Sequence, residues 1–428
     1  MRGIALAPLL IGWLVTGPAM TAMAAESFSF DFGQYEKKPY EFGGYLQGSA
    51  EHFDVDPGAA LSALTFPDGA PDSYQRYRGV LELSGKYRWD AVSINGLWHG
   101  ESLDDYNGNR HDTRFYELYL DAQPNERWTL TAGKRALRWG KGYAFNTVGF
   151  VERPKDATDP ELAREGFVLA TAEYVKSFSG PLQTVSFTPV ILPVTDDIND
   201  DFGAQKDTNL AARLYMLYRD TDIDVMVRRG DSRPNAIGMD FARNLTTNFE
   251  VHGELAWFDD RSHRVLEAGN TLAPRETGDV DWLLGLRYLT AAETTWIAEY
   301  YHNGAGYTPN EMQRFFDLAR NTLTNPALRP AAQAARQAGY GVAQPMQDYL
   351  YIRVSQKEPF DALYWSAGAT TIINLHDSSY TLIPEAIYTG ITDLELRGRL
   401  TLLEGGANTD FGERPNDWRA ELRLRYFF

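Results

Sequence analysis

The chain ends in a segment, 417–428, that reads DWRAELRLRYFF and tolerates few environments. Trp418, Ala420, Leu422, Leu424, Tyr426 and Phe428 share one parity, and Arg419, Glu421, Arg423, Arg425 and Phe427 share the other. Side chains alternate between the faces of a β-strand, so a strand here has an apolar face with aromatic ends and a charged face. Lipid outside and water inside satisfy both faces at once, which is the setting of a transmembrane β-barrel strand.

The same period recurs along the chain. In 74–89, Tyr77, Leu81, Leu83, Tyr87 and Trp89 alternate with Arg76, Arg78, Glu82, Lys86 and Arg88, and 249–258 and 281–288 repeat the pattern. Such runs predict strands at 40–53, 74–89, 92–101, 113–122, 128–139, 167–176, 182–192, 210–219, 223–229, 235–242, 249–258, 281–288, 295–302, 349–356, 363–374, 380–389, 394–403 and 418–428. That makes about eighteen, with sixteen as the alternative, and single-chain bacterial barrels have an even number. Even-numbered connections are short (123–127, 177–181, 220–222, 244–248, 290–294, 357–361, 390–393), whereas most odd ones are long; 230–234 and 375–379 are short exceptions. Short periplasmic turns alternating with long outer loops fit an all-β, antiparallel, up-and-down transmembrane barrel rather than a soluble sandwich.

Residues 1–25 have one arginine, Arg2, then an apolar stretch, then Ala22, Met23 and Ala24. This predicts a cleaved signal peptide and export through the periplasm to a Gram-negative outer membrane. A leader, 26–39, would be periplasmic or tucked into the barrel mouth, and 40–428 would form a single barrel. No later run of about eighteen apolar residues predicts a membrane helix. Aromatics are 13% of the chain although its mean hydropathy is negative, as alternating lipid-facing and lumen-facing residues require. Cysteine is absent, and 58 acidic against 41 basic side chains argue against a nucleic-acid partner.

With signal, strands and the terminal Tyr426-Phe427-Phe428 in place, the chain resembles bacterial outer-membrane porins. Its last strand looks like the signal read by the outer-membrane assembly machinery, implied as a partner. Strand number and lumen arginines resemble the alginate-export type of barrel. The block AGKRALRWGKGYAFNTVGFVERPKD, 132–156, is similar to a strand-to-loop segment of uncharacterised porin-like barrels.

In a closed barrel the first and last strands are neighbours. Arg397 and Arg399, then Arg419, Arg423 and Arg425, then Arg76 and Arg78 therefore fall on one sector of the lumen wall. Such a wall selects anions if its arginines are unpaired, and merely stiffens the barrel if Glu82, Glu395 and Glu421 neutralise them. Arg135 is expected to face the lumen from the fifth strand. The following loop, 142–166, would constrict the pore if folded inward, placing Arg153 or Lys155 against solute; folded outward, it is a surface loop. The longest loop, 303–348, contains two helix-forming segments, 309–321 and 326–339, and could act as lid, plug or docking surface.

Asp196, Asp197, Asp200 and Asp201 could ligate surface Ca²⁺, but without EF-hand spacing they read first as an acidic loop bridged to lipopolysaccharide by divalent ions. No other cofactor is expected. Seven scattered histidines and the absence of HExxH, nucleophile-elbow and phosphate-loop motifs argue against an enzyme. The expected function is passive passage of small anionic solutes or an acidic polymer. The alternative is a non-transporting barrel that anchors surface polysaccharide or sheathes a periplasmic partner.

Overall fold

The structure, a computed structural model, describes residues 38–259, 261–276 and 280–428. The expected signal peptide and all but the last two residues of the leader lie outside the described residues.

Pro39–Phe428 is one unit, built among the described residues on twenty strands. In order these are β1 (Tyr40–Val55), β2 (Ser73–Trp89), β3 (Val92–Asp105), β4 (Gly108–Asn125), β5 (Trp128–Arg135), β6 (Phe167–Ser177), β7 (Leu182–Pro193), β8 (Thr208–Tyr218), β9 (Thr221–Arg229) and β10 (Ala236–Thr246). There follow β11 (Phe249–Phe258), β12 (Ser262–Leu266), β13 (Leu272–Glu276), β14 (Val280–Leu289), β15 (Thr294–His302), β16 (Asp348–Lys357), β17 (Trp365–Asn374), β18 (Tyr380–Ile391), β19 (Leu394–Glu404) and β20 (Asn416–Phe427). All except β12 and β13, which pair only with each other, form one 18-stranded sheet. Each strand pairs antiparallel with the next, and β1 pairs with both β2 and β20, closing the barrel. The seam ends where the Gly44 and Phe428 backbones exchange N–H···O bonds of 3.1 Å.

Every expected strand lies on one barrel strand. The period worked because lipid and water enforce opposite parities: Leu422 is 58% exposed on the outer face, whereas its neighbour Arg423, turned inward, is 6% exposed. Trp89, Tyr87, Tyr426 and Phe428 remain exposed at strand ends, where an aromatic girdle meets the membrane interface. Short turns behave as the chemistry demands. Arg219 and Asp220, both at positive φ, form the two-residue link between β8 and β9, as a primed hairpin turn requires.

Three expectations needed correction. The third connection, 102–112, is largely strand, with Asp105 opposite Gly108. Above the membrane both faces are wet, so apolar alternation disappears although pairing continues. The fifth strand stops at Arg135 instead of 139 because the chain turns into the lumen there. The β12–β13 hairpin and the helix α1 (Ala60–Thr65), both in outer loops, were not expected.

In the longest loop, α2 (Pro309–Asn321) coincides with the expected segment. It begins with a Thr308–Glu311 capping box and Pro309 in its first turn. The second segment is a shorter helix, α3 (Arg329–Ala335), flanked by tighter and wider turns. Leu61 and Leu64 of α1, Leu266 of β12, Phe315 and Phe316 of α2 and Ala332 of α3 share one apolar core with Tyr340. The outer loops thus pack on one another into a cap on the long-loop rim.

The two-faced wall sets an expected outcome. Leu422→Arg, near the middle of the lipid-facing row of β20, should lower the unfolding free energy of the vesicle-inserted barrel by about 2–4 kcal/mol in urea titrations. Leu422→Ala should cost distinctly less; equal costs for the two would contradict a lipid-facing position.

Candidate functional site

Beyond Arg135 the chain enters the barrel, and two buried carboxylates of the wall hold it there. Glu254 of β11 accepts the N–H groups of Lys141 and Gly142 at 2.6 Å, Thr147 at 2.8 Å and Val148 at 3.3 Å. Glu299 of β15 accepts the N–H of Ala144 at 2.8 Å and that of Tyr143, and its other partner is His252 Nε2 at 2.9 Å. Loop 136–166 is therefore folded inward, the first of the two arrangements the sequence allowed.

The Gly-Lys-Gly sequence makes this approach feasible. A Cβ at Gly140 would meet the Glu254 carboxylate at 2.6 Å, and one at Gly142 would meet the Phe145 carbonyl at 2.6 Å. Within the loop, Glu152 accepts the Trp139 N–H at 2.5 Å and an Arg164 guanidinium N–H at 2.7 Å. Burial outweighs Arg164 and pushes the Glu152 carboxyl up to about 7.

The tip of the loop reaches the opposite wall. The Asp159 carboxylate lies 2.8 Å from Arg397, 3.2 Å from Arg399 and 3.8 Å from Arg423. Burial raises the proton affinity of Asp159, but the guanidinium groups of Arg397 and Arg399 outweigh it and hold its carboxyl below the usual range. Each arginine also has a wall partner: Arg397 with Glu421 at 2.9 Å, Arg399 with Glu385 at 3.3 Å, Arg423 with Glu395 at 2.9 Å. Arg425 donates to Gln47 at 2.7 and 3.0 Å and lies over the Tyr45 ring. A cavity of about 230 Å³ opens here. Arg353, Arg397, Arg399, Arg423 and Arg425 face it, with Glu82, Glu385 and Glu395 from the wall and Asp159 and Glu161 from the loop.

The remaining sequence candidates lie elsewhere. Arg76 and Arg419 share Glu51 at 3.8 and 3.7 Å, and Arg78 pairs with Glu101 at 3.7 Å; none of the three lines the cavity at Asp159. Arg135 faces the lumen but binds Asp121 at 3.2 Å and Thr131 at 2.8 Å. Arg153 pairs with Asp201 and, at 3.4 Å, with Glu165. The Lys155 ammonium donates to the Gly142 carbonyl, and burial lowers its proton affinity. Lys155 lines cavities of about 550 and 570 Å³, and Arg153 the larger. Of the acidic loop, Asp196 pairs with Lys206 and Asp201 with Arg153. Among the described residues no group of three or more His, Cys, Asp or Glu could hold a metal ion.

Asp159, Glu254, Glu299 and Arg353 were missed. Glu254, Glu299 and Arg353 do have lumen parity in their strands, but parity does not tell water from an incoming loop.

No family profile matches the chain and no curated protein is significantly similar to it. Solved structures are more informative. The barrel is similar to a BenF-like porin from Pseudomonas fluorescens Pf-5, with a TM-score of 0.54 and 11% identity over 91% of this chain and 98% of that one. It is also similar to Pseudomonas aeruginosa OpdQ, with a TM-score of 0.53 and 9% identity over 92% and 99%. A third, Pseudomonas aeruginosa OccK2 (OpdF) in complex with glucuronate, has a TM-score of 0.52 and 11% identity over 91% and 98%. The fold is that of an outer-membrane porin. At these identities the likeness concerns the barrel itself, and the structures named are Pseudomonas porins rather than alginate-export barrels.

Glu152 supplies a pH dependence. Its folded value, about 7, lies above the ordinary carboxyl value, so its contribution is fully present below the ordinary range and is lost as pH rises through about 7. Hydrogen exchange of the loop amides, corrected for intrinsic rates, should show protection that declines between pH 5 and 8. Glu152→Gln, which keeps an acceptor for Trp139, should flatten the decline; an unchanged slope would remove Glu152 as its source.

Proposed function

We propose that the protein is an outer-membrane channel for passive passage of small anionic solutes, with carboxylates as the favoured class. One observation carries this reading: three lumen guanidinium groups converge on a carboxylate, Asp159, that the loop and not the wall provides. A site that holds one carboxylate in this way has the chemistry to hold another. Around the cavity the wall alone sets five arginines against four carboxylates, with Glu421 behind Arg397 counted, and the loop adds two more. The wall is basic once the loop is set aside. A closed, even-stranded barrel with an outward apolar band suits a Gram-negative outer membrane, with 1–25 as a cleaved signal and 26–39 as a leader.

The glucuronate of the OccK2 complex, a sugar carboxylate, is in keeping with this class of solute. An acidic polymer, the cargo suggested by the alginate-export likeness, fits less well, because threading it would require displacing a loop that crosses from β11 and β15 to β19. The crossing loop is also what favours the second reading, a non-transporting barrel that anchors polysaccharide or sheathes a partner. Conductance separates the two.

In planar bilayers under a salt gradient, purified protein should conduct, with Asp159→Asn more anion-selective than the parent. Removing one charge about 4 Å from the ion path is worth about 1 kcal/mol at the dielectric of water, or about fivefold in the permeability ratio. Arg423→Glu should shift selectivity toward cations. Absence of conductance would defeat the channel, and a reversal potential indifferent to both substitutions would defeat the arginine site.

A further inference from the structure

A second basic feature faces the lumen on the outer side of the loop, and it differs from the first in that, among the described residues, no carboxylate pairs with its two arginines. Arg228, at the end of β9, is 4% exposed; one terminal nitrogen donates to the Pro234 carbonyl, and its Nε has no partner. Arg233, in the following turn, donates its Nε to the Phe202 carbonyl. The two guanidinium groups lie 6.0 and 4.0 Å from the centroid of the same Phe202 ring, so they are no more than 10 Å apart.

Among the described residues neither arginine forms an ion pair, and the neighbouring Asp201 is already held by Arg153. Burial lowers the proton affinity of Arg233, toward about 10, as expected of a cation short of counter-charge. Both arginines line the cavity of about 570 Å³, whose own carboxylates are engaged: Glu152 with Arg164 at 2.7 Å, Asp281 with Arg261 at 2.8 Å.

A buried cation, Arg228, beside a half-buried one, Arg233, with only carbonyl and ring partners, is costly unless an anion completes the site. We infer that Arg228 and Arg233 form a solute-binding site for a phosphate monoester dianion. Two arginines without a carboxylate partner, with Lys155 also on the cavity wall and held only by the Gly142 carbonyl, match a dianion better than a monoanion, and guanidinium forks suit phosphate oxygens. The volume is within the range of small-molecule sites and leaves room for the body of the ester beside Phe150 and Phe258. Parity places the site inside the barrel: Arg228 shares the inward face with Asp224 and Met226, while Val227 faces outward. The ligand is therefore a free solute and not a lipid headgroup. The site is separate from the arginines at Asp159 and does not depend on conduction.

Calorimetric titration of the detergent-purified barrel with phenyl phosphate tests the assignment. Saturable binding is expected, and with Glu152→Gln, which removes the cavity carboxyl that titrates near 7, it should tighten about tenfold from pH 5 to pH 8 as the ester loses its second proton near pH 6. Benzenesulfonate, which has the same phenyl ring but one charge and no ester oxygen, should bind at least tenfold more weakly at pH 8. Arg233→Gln, in a surface turn, should weaken phenyl phosphate at least tenfold and Arg233→Lys less, whereas Arg397→Gln should leave it unchanged. Arg228→Gln is read only where gel mobility shows a folded barrel, and Arg233→Gln decides the matter if it is not. Binding unaffected by Arg233→Gln, equal affinity for the sulfonate, or loss of binding in Arg397→Gln would each overturn the assignment.

Discussion

The interaction on which the lumen depends is the capture of loop backbone by Glu254 and Glu299. Glu299 is fully buried and Glu254 nearly so, and an ionised carboxylate removed from water is costly unless hydrogen-bonded. Loop amides inside a barrel have the opposite need, since no ladder pairs them. Each supplies what the other lacks. Hydrogen bonds to a charged acceptor are worth roughly 1.5–3 kcal/mol each, and a donor left unpaired costs a comparable amount, so the loop root and the wall are stable together and neither is stable alone. Everything downstream follows from that root, including the crossing of the lumen and the delivery of Asp159 to β19 and β20.

The arginines follow a different logic. Arg76, Arg78 and Arg419 each meet a carboxylate on an adjacent strand, and cross-strand pairs of this kind stiffen a wall with little consequence for what passes it. Arg397, Arg399 and Arg423 have such partners too, yet still turn toward a further carboxylate. The basic sector is thus divided by position along the barrel into arginines paired only within the wall and arginines that also turn toward the loop.

This division explains what the sequence could convey. The barrel was legible because a two-residue period under lipid on one side and water on the other survives in any window of eight or ten residues. Strand extensions above the membrane, such as the β3–β4 tips, were not, since water on both faces erases the period. The inward parity of Arg397, Arg399 and Arg423 was also legible, but their shared partner was not: Asp159 precedes Arg397 by 238 residues and sits in a loop with other acids. Glu254 likewise looked like any lumen glutamate, because its amide partners lie more than 100 residues away. Local pattern reports the medium a face meets. It does not report which distant segment fills that medium.

The two ends of the crossing loop differ in what their release would leave behind. Freeing the root would strand Glu254 and the buried Glu299 without their amide donors. Freeing the tip leaves Arg397 with Glu421, Arg399 with Glu385 and Arg423 with Glu395, so each of the three keeps a wall partner, and Asp159 passes into water. In the channel proposed above, a solute carboxylate arriving among these arginines would exchange like for like with Asp159, the ion pairs lost by one being regained by the other. Displacement of the tip therefore costs far less than displacement of the root. In that proposed channel, the segment around Asp159 is where an anion would widen the lumen while the wall and the anchor at Glu254 stay as they are.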